Sequence, residues 1–132
     1  MTINRRLSAD DVRKLVTAYV ARYASAETGG DNSSLWVFEE VSALTLKQPA
    51  DAFTFIVEAL KQELSDFCMA NLAAGPLEDL LALHGGTVID WVEIEAKRNP
   101  AFDDLLGGVS LGRLSPPTAE RVAAVRSAVW KD

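Results

Sequence analysis

"NLAAGPLEDLLALHGG", residues 71–86, sets Gly75 beside Pro76 and ends in the only histidine of the chain followed by two glycines. Apolar residues recur at helical spacing on both sides: Leu64, Phe67, Cys68 and Leu72 before the pair, Leu77, Leu80, Leu81 and His84 after it. Gly75 is predicted to end one helix, because a left-handed residue costs glycine little. Pro76 then opens the next, in a first turn where its missing N–H is not needed. Glu78 and Asp79 fall in that turn, where a carboxylate interacts favourably with exposed backbone N–H groups by about 0.3–1 kcal/mol. His84 lies on the apolar stripe at the end of this helix, placed to bond terminal carbonyls, with Gly85 and Gly86 as the stop. The stretch reads as a helix junction, not as an active site.

The same grammar extends outward in both directions. Val12, Leu15, Val16, Tyr19, Val20 and Tyr23 form one helical face, opened by Ser8 as cap, Asp11 three residues on and Leu7 as a staple on Val12. Residues 25–34, SAETGGDNSS, are polar and aperiodic and are expected to be a mobile loop. "LWVFEEVSALTL" supplies a second helix, and "PADAFTFIVEALKQEL" a third and central one, with Phe53, Ile56, Val57, Leu60 and Leu64 as its main stripe and Phe55 and Ala59 at the side. Thr87 is expected to cap "VIDWVEIEAKR", in which Val88, Trp91, Val92 and Glu95 share a face and Glu93 pairs with Lys97. Asn99 and Pro100 open "AFDDLLGG", which buries Phe102, Leu105 and Leu106 and ends at Gly107 or Gly108. Ser115 and Pro116 open the last helix, with Val122, Val125 and Val129 inward. The expectation is a single all-α domain over 1–132 with about seven helices, an irregular bundle or a short HEAT-like stack of antiparallel helix pairs. The sequence contains no strict internal repeat.

Composition sets further bounds. A chain of 132 residues with 48% hydrophobic content can bury a core without disulfides or a structural metal. One cysteine cannot form an internal bridge. The start, "MTINRRLSADDV", turns polar where a secretory signal needs an apolar run, and no stretch approaches about 18 uninterrupted apolar residues. A cytoplasmic protein without a membrane span is expected. Net charge is −6, unevenly spread: residues 27–104 hold 15 acidic and 4 basic side chains, a balance of −11, while 1–26 carry +3 and 105–132 carry +2. An acidic body disfavours nucleic acid and anionic membranes and favours a basic partner.

Over residues 72–109 the chain resembles a family of small bacterial domains of unknown function, in which a GPLEDLL segment, a following HG and a later P-x-F with a GV ending recur. The resemblance implies a bacterial source and a helical, loosely HEAT-like fold, and brings no activity, cofactor or catalytic residue. The tryptophan usual after the GV is replaced here by Ser110.

A zinc site needs three or four convergent ligands, and Cys68 and His84 are the only soft or imidazole candidates. Glu78 and His84 are six residues apart, off the spacing that places two ligands on one helical face, so no metal and no cofactor is expected. Cys68 sits on a core stripe, where a thiol is usually inert. "LLGGVSLG" lacks the Gly-Lys-Ser/Thr of a phosphate loop. Adjacent carboxylates, Glu39 with Glu40 and Asp103 with Asp104, diverge on a helix. Trp36 and Trp130, with Glu39 and Glu40, are the candidate contacts for a partner, while Trp91 reads as core. Two functions are open to such a chain. The favoured one is a non-enzymatic interaction module for a basic protein, for instance an antitoxin or immunity protein; the alternative is a small ligand-binding or hydrolase-like domain around His84, Cys68 and Glu78.

Overall fold

The computed structural model describes residues 7–27 and 36–130, with side chains for 7–23 and 36–130. Among the described residues the chain is all-helical and has no strand. Most of the expected loop, residues 28–34, lies outside them, while residues 25–27 belong to the end of α1 (Ala9–Glu27). Ser8 and Asp11 open α1 by a reciprocal exchange: each backbone N–H donates to the other's side-chain oxygen at 3.1 Å. Leu7 and Val12 are both buried in the core.

Next come α2 (Trp36–Lys47) and α3 (Pro49–Ala59), which carries Pro49 in its first turn. Helix α3 touches α1, α2 and the later α5, so it is the hub of the bundle. Its buried stripe is Ala52, Phe55, Ile56 and Ala59, rotated from the expected one, with Phe53, Val57, Leu60 and Leu64 only partly buried. The small Ala52 and Ala59 leave room for neighbouring helices, and Phe53 fills the margin, where its ring meets those of Trp91 at 5.8 Å and Phe102 at 5.7 Å. The helix ends at Ala59 because Lys61 and Gln62 turn back onto Glu58 and Ala59, and Ser65 then caps α4 (Asp66–Leu72), accepting the Cys68 N–H at 3.1 Å.

The two predicted breaks are not breaks. Residues Ala73–Leu77 form one π turn that runs from α4 into α5 (Glu78–Arg98), with Pro76 inside it. Proline has no N–H to give and crowds the carbonyl one turn back, and the wider turn, in which the Glu78 N–H reaches the Ala73 carbonyl, absorbs both effects. Gly75 is therefore not a left-handed terminator. Gly85 and Gly86 do not stop the chain either, and Thr87 is not a cap: α5 continues through them with a kink at His84, whose backbone sits at φ −132°, ψ 29°.

Asn99 caps α6 (Pro100–Leu106), its Oδ1 accepting from Ala101 at 3.1 Å and Phe102 at 3.3 Å. A 3₁₀ turn at Leu111–Arg113 leads to α7 (Pro116–Val125). Helix α7 lies along α5, and Arg121 holds Asp90 at 2.6 Å and Glu93 at 2.5 Å, so Glu93 engages α7 where a Lys97 pair was expected. Val122 is fully buried and Val125 half-buried, but Val129 is 61% exposed because the helix ends at Val125. The following segment, residues 126–130, is irregular and packs on α6 and the turn after it. Arg126 donates to the Leu106 and Val109 carbonyls, Ser127 to Asp103, and the Trp130 N–H to the Gly107 carbonyl at 2.9 Å. A Cβ on Gly108 would collide with the Trp130 ring. No helix among the described residues is long and apolar enough to cross a membrane. The architecture is an irregular helical bundle.

Candidate functional site

Helices α1 and α2 meet the π turn at an open cleft of about 130 Å³. From α1 come Tyr19 and Tyr23, one helical turn apart; from α2 Phe38, Val41, Ser42 and Thr45; from the π turn and the start of α5 Gly75, Pro76 and Asp79. The aromatic rings interlock: Tyr19 packs on Tyr23 at 4.7 Å, Phe55 at 5.3 Å and Phe38 at 6.4 Å, and Tyr23 continues to Phe38 and to the half-exposed Phe67.

Tyr19 is 1% exposed, yet its hydroxyl meets no hydrogen-bond partner. Burial first, and then the adjacent Tyr23 phenol, holds it far above the ordinary phenol range, and burial also raises Tyr23. The two phenols influence one another. At neutral pH both phenols are protonated and can donate. Arg22, three residues after Tyr19, lays its guanidinium over Phe38 at 5.4 Å, and its buried Nε and Nη1 also lack acceptors. Thr45 directs its hydroxyl to the Val41 carbonyl at 2.8 Å. Asp79, at the rim, receives the Arg113 guanidinium at 2.7 Å, and the same group reaches Glu78 at 3.1 Å. Its hydrogen bonds to Asp79 and then to Glu78 raise the Arg113 pKa, so this cation stays paired.

The sequence alone marks none of the cleft residues as a site, and Tyr19 and Tyr23 read there as core residues of the α1 stripe. The available signal was a polar hydroxyl twice on a core stripe, with an arginine between.

Trp36 opens α2 at 49% exposure, with Glu39 exposed one turn further on the same outer face. Glu40 is 6% exposed and turned inward. Trp130 is partly buried in the segment over α6, its indole N–H 3.4 Å from Asp104. His84 places Nε2 2.9 Å from the Leu46 carbonyl, so it ties the last turn of α2 to α5 in place of bonding carbonyls of its own helix. Cys68 is buried in the core. Glu78 is buried and receives the Ser110 N–H at 2.8 Å as well as Arg113, so Ser110 holds its place by backbone. Among the described residues no group of three or more His, Cys, Asp and Glu is arranged to hold a metal.

The chain belongs to a family of unknown function, DUF6869, whose model matches residues 24–129. No curated protein and no solved structure matches it.

Proposed function

As membership of this family brings no activity with it, we propose that the chain is a non-enzymatic protein interaction module of the bacterial cytoplasm whose partner is a basic protein, as an antitoxin or immunity protein for a basic toxin would be. The observation that carries this reading is the outer face of α2, where Trp36 stands half in solvent with Glu39 one turn away while Val37, Val41 and Leu44 on the same helix are buried. An exposed tryptophan offers a large rigid apolar surface, the commonest kind of binding hot spot. The Glu39 carboxylate beside it helps to steer a cationic surface into place. The excess of acidic residues in 27–104 adds to that attraction.

The test is capture by the tagged full chain from its source cells. One stoichiometric basic protein should be retained at low salt and released at high salt. Trp36→Ala should weaken it by about thirtyfold, the scale of a hot spot, and Glu39→Lys should slow its association, with both variants keeping their helical circular dichroism. Retention of an acidic partner, or of a basic one indifferent to both substitutions, overturns the proposal.

A further inference from the structure

We propose that the groove between α4 and the segment after α7 is a receptor for an arginine side chain of a protein partner, its guanidinium lying against the Trp130 ring and bonded by Asp66 and Asp104. The inference deepens the reading above, on which it rests, by naming the group that a basic partner inserts. It uses residues apart from the Trp36 face, so each can fail without the other.

The groove has a volume of about 400 Å³, within the roughly 300–1,000 Å³ of ligand pockets, and is walled by Asp66, Met69 and Ala70 of α4, Asp104 of α6 and Trp130. Trp130 is fixed in place by the chain itself. Its backbone N–H bonds the Gly107 carbonyl at 2.9 Å, and a Cβ on either Gly107 or Gly108 would come within 2.9 Å of its ring. Such a ring is a preformed platform that costs a ligand little ordering. Both charged residues of the lining are carboxylates. Elsewhere the chain gives its carboxylates arginines of its own: Arg98 meets Glu95, Arg113 meets Glu78 and Asp79, and Arg121 meets Asp90 and Glu93. Among the described residues Asp66 and Asp104 have no such pair, and the one bond to Asp104 in the groove, from the Trp130 indole N–H, is long at 3.4 Å. Arg126, which packs on α6, gives its Nη1 to the Leu106 and Val109 carbonyls. An anion is repelled by this lining, and an apolar segment would cover two carboxylates without pairing them. Of the two cationic side chains, arginine fits the walls better: the flat guanidinium stacks on an indole while its edge presents a fork of N–H donors to carboxylates, whereas the lysine ammonium is a strongly hydrated point charge.

The probes are the acetylated and amidated tripeptides Gly-Arg-Gly, Gly-Lys-Gly and Gly-Glu-Gly, titrated at low salt into the ¹⁵N-labelled full chain. Binding is followed at the indole N–H resonance of Trp130, which Trp130→Phe identifies by its loss. The arginine peptide should move that resonance and leave the Trp36 indole in place; the lysine peptide should bind several-fold more weakly, and the glutamate peptide should not bind. Asp66→Asn and Asp104→Asn change exposed side chains and should keep the parent Tm, while Asp104→Asn should weaken the arginine peptide by about tenfold, the value of a hydrogen bond to a charged group. A Trp130 resonance that stays still, an equal or greater affinity for the lysine or glutamate peptide, or an arginine affinity unchanged in both variants overturns the proposal. Capture of a basic protein that is indifferent to Asp66→Asn and Asp104→Asn overturns this site and leaves the Trp36 reading standing. Binding of the arginine peptide by a chain that captures no basic protein does the reverse.

Discussion

Gly85 and Gly86 stand side by side in α5 and are glycine for different reasons. A Cβ on Gly85 would lie 2.5 Å from the Thr118 hydroxyl oxygen of α7, whereas one on Gly86 would meet nothing within 4 Å. Gly85 is thus the point where α7 comes down onto the kink at His84, and Gly86 only loosens a helix that continues through it. Gly86→Ala should stabilise the protein by about 0.5–1 kcal/mol, the helix-propensity difference, and Gly85→Ala should destabilise it by about 1–3 kcal/mol through overpacking. Urea unfolding of the two variants decides this, and equal shifts would show that the close approach of Thr118 has no energetic weight. Read as letters, both glycines looked like a stop. Only the presence or absence of a neighbour from residue 118 separates them, and nothing local to the sequence carries that.

At the scale of elements, α5 is held at its far end by its carboxylates. The hydrogen bond from Arg121 lowers the Glu93 pKa. For Glu95, burial pushes the pKa up, but hydrogen bonds from Asn99 and Arg98 more than reverse it. Both groups are more acidic in the folded chain than their ordinary 4.5. A depressed carboxyl contributes stability that is present above its unfolded value and lost as the pH falls through the folded one. The Tm should accordingly decline as the pH drops below about 4.5, and Glu95→Gln should lower the Tm at neutral pH while flattening that acid decline. An acid limb identical in the parent and in Glu95→Gln would overturn the assignment.

Helix starts were legible because caps are local: Ser8 with Asp11, Pro49 and Asn99 all act within four residues of themselves. The joins at Gly75–Pro76 and His84–Gly86 were not, since whether a weak point breaks or merely bends depends on what buries the residues on both sides. Here Leu72, Ala73, Leu77, Leu81 and Val88 are all in one core. The α2 face was partly legible, as Trp36 and Glu39 share a helix. The cleft was not, because an unmet hydroxyl leaves no trace in periodicity.

The whole molecule brings together charges that the sequence keeps apart. Arg113 and Arg121, from the basic last segment, clasp Glu78, Asp79, Asp90 and Glu93 of the acidic middle. The irregular segment after α7 completes this closure, with Trp130 over Gly107 and Gly108. Trp130→Ala should cost about 2 kcal/mol, less than a fully buried tryptophan, and should speed hydrogen exchange of the backbone around residues 106–109. An unchanged unfolding midpoint would mean that the segment lies on the bundle without supporting it. The π turn between the halves has a different kind of consequence, one of length. A wide turn carries a residue that an α-helix would not use, and removing one residue there would rejoin α4 to α5 while swinging the α4 side by about 100° and drawing it in by about 1.5 Å. When relatives are aligned, a one-residue gap within 73–77 therefore weighs more than many substitutions: it marks a chain in which the wall of the cleft has been rebuilt.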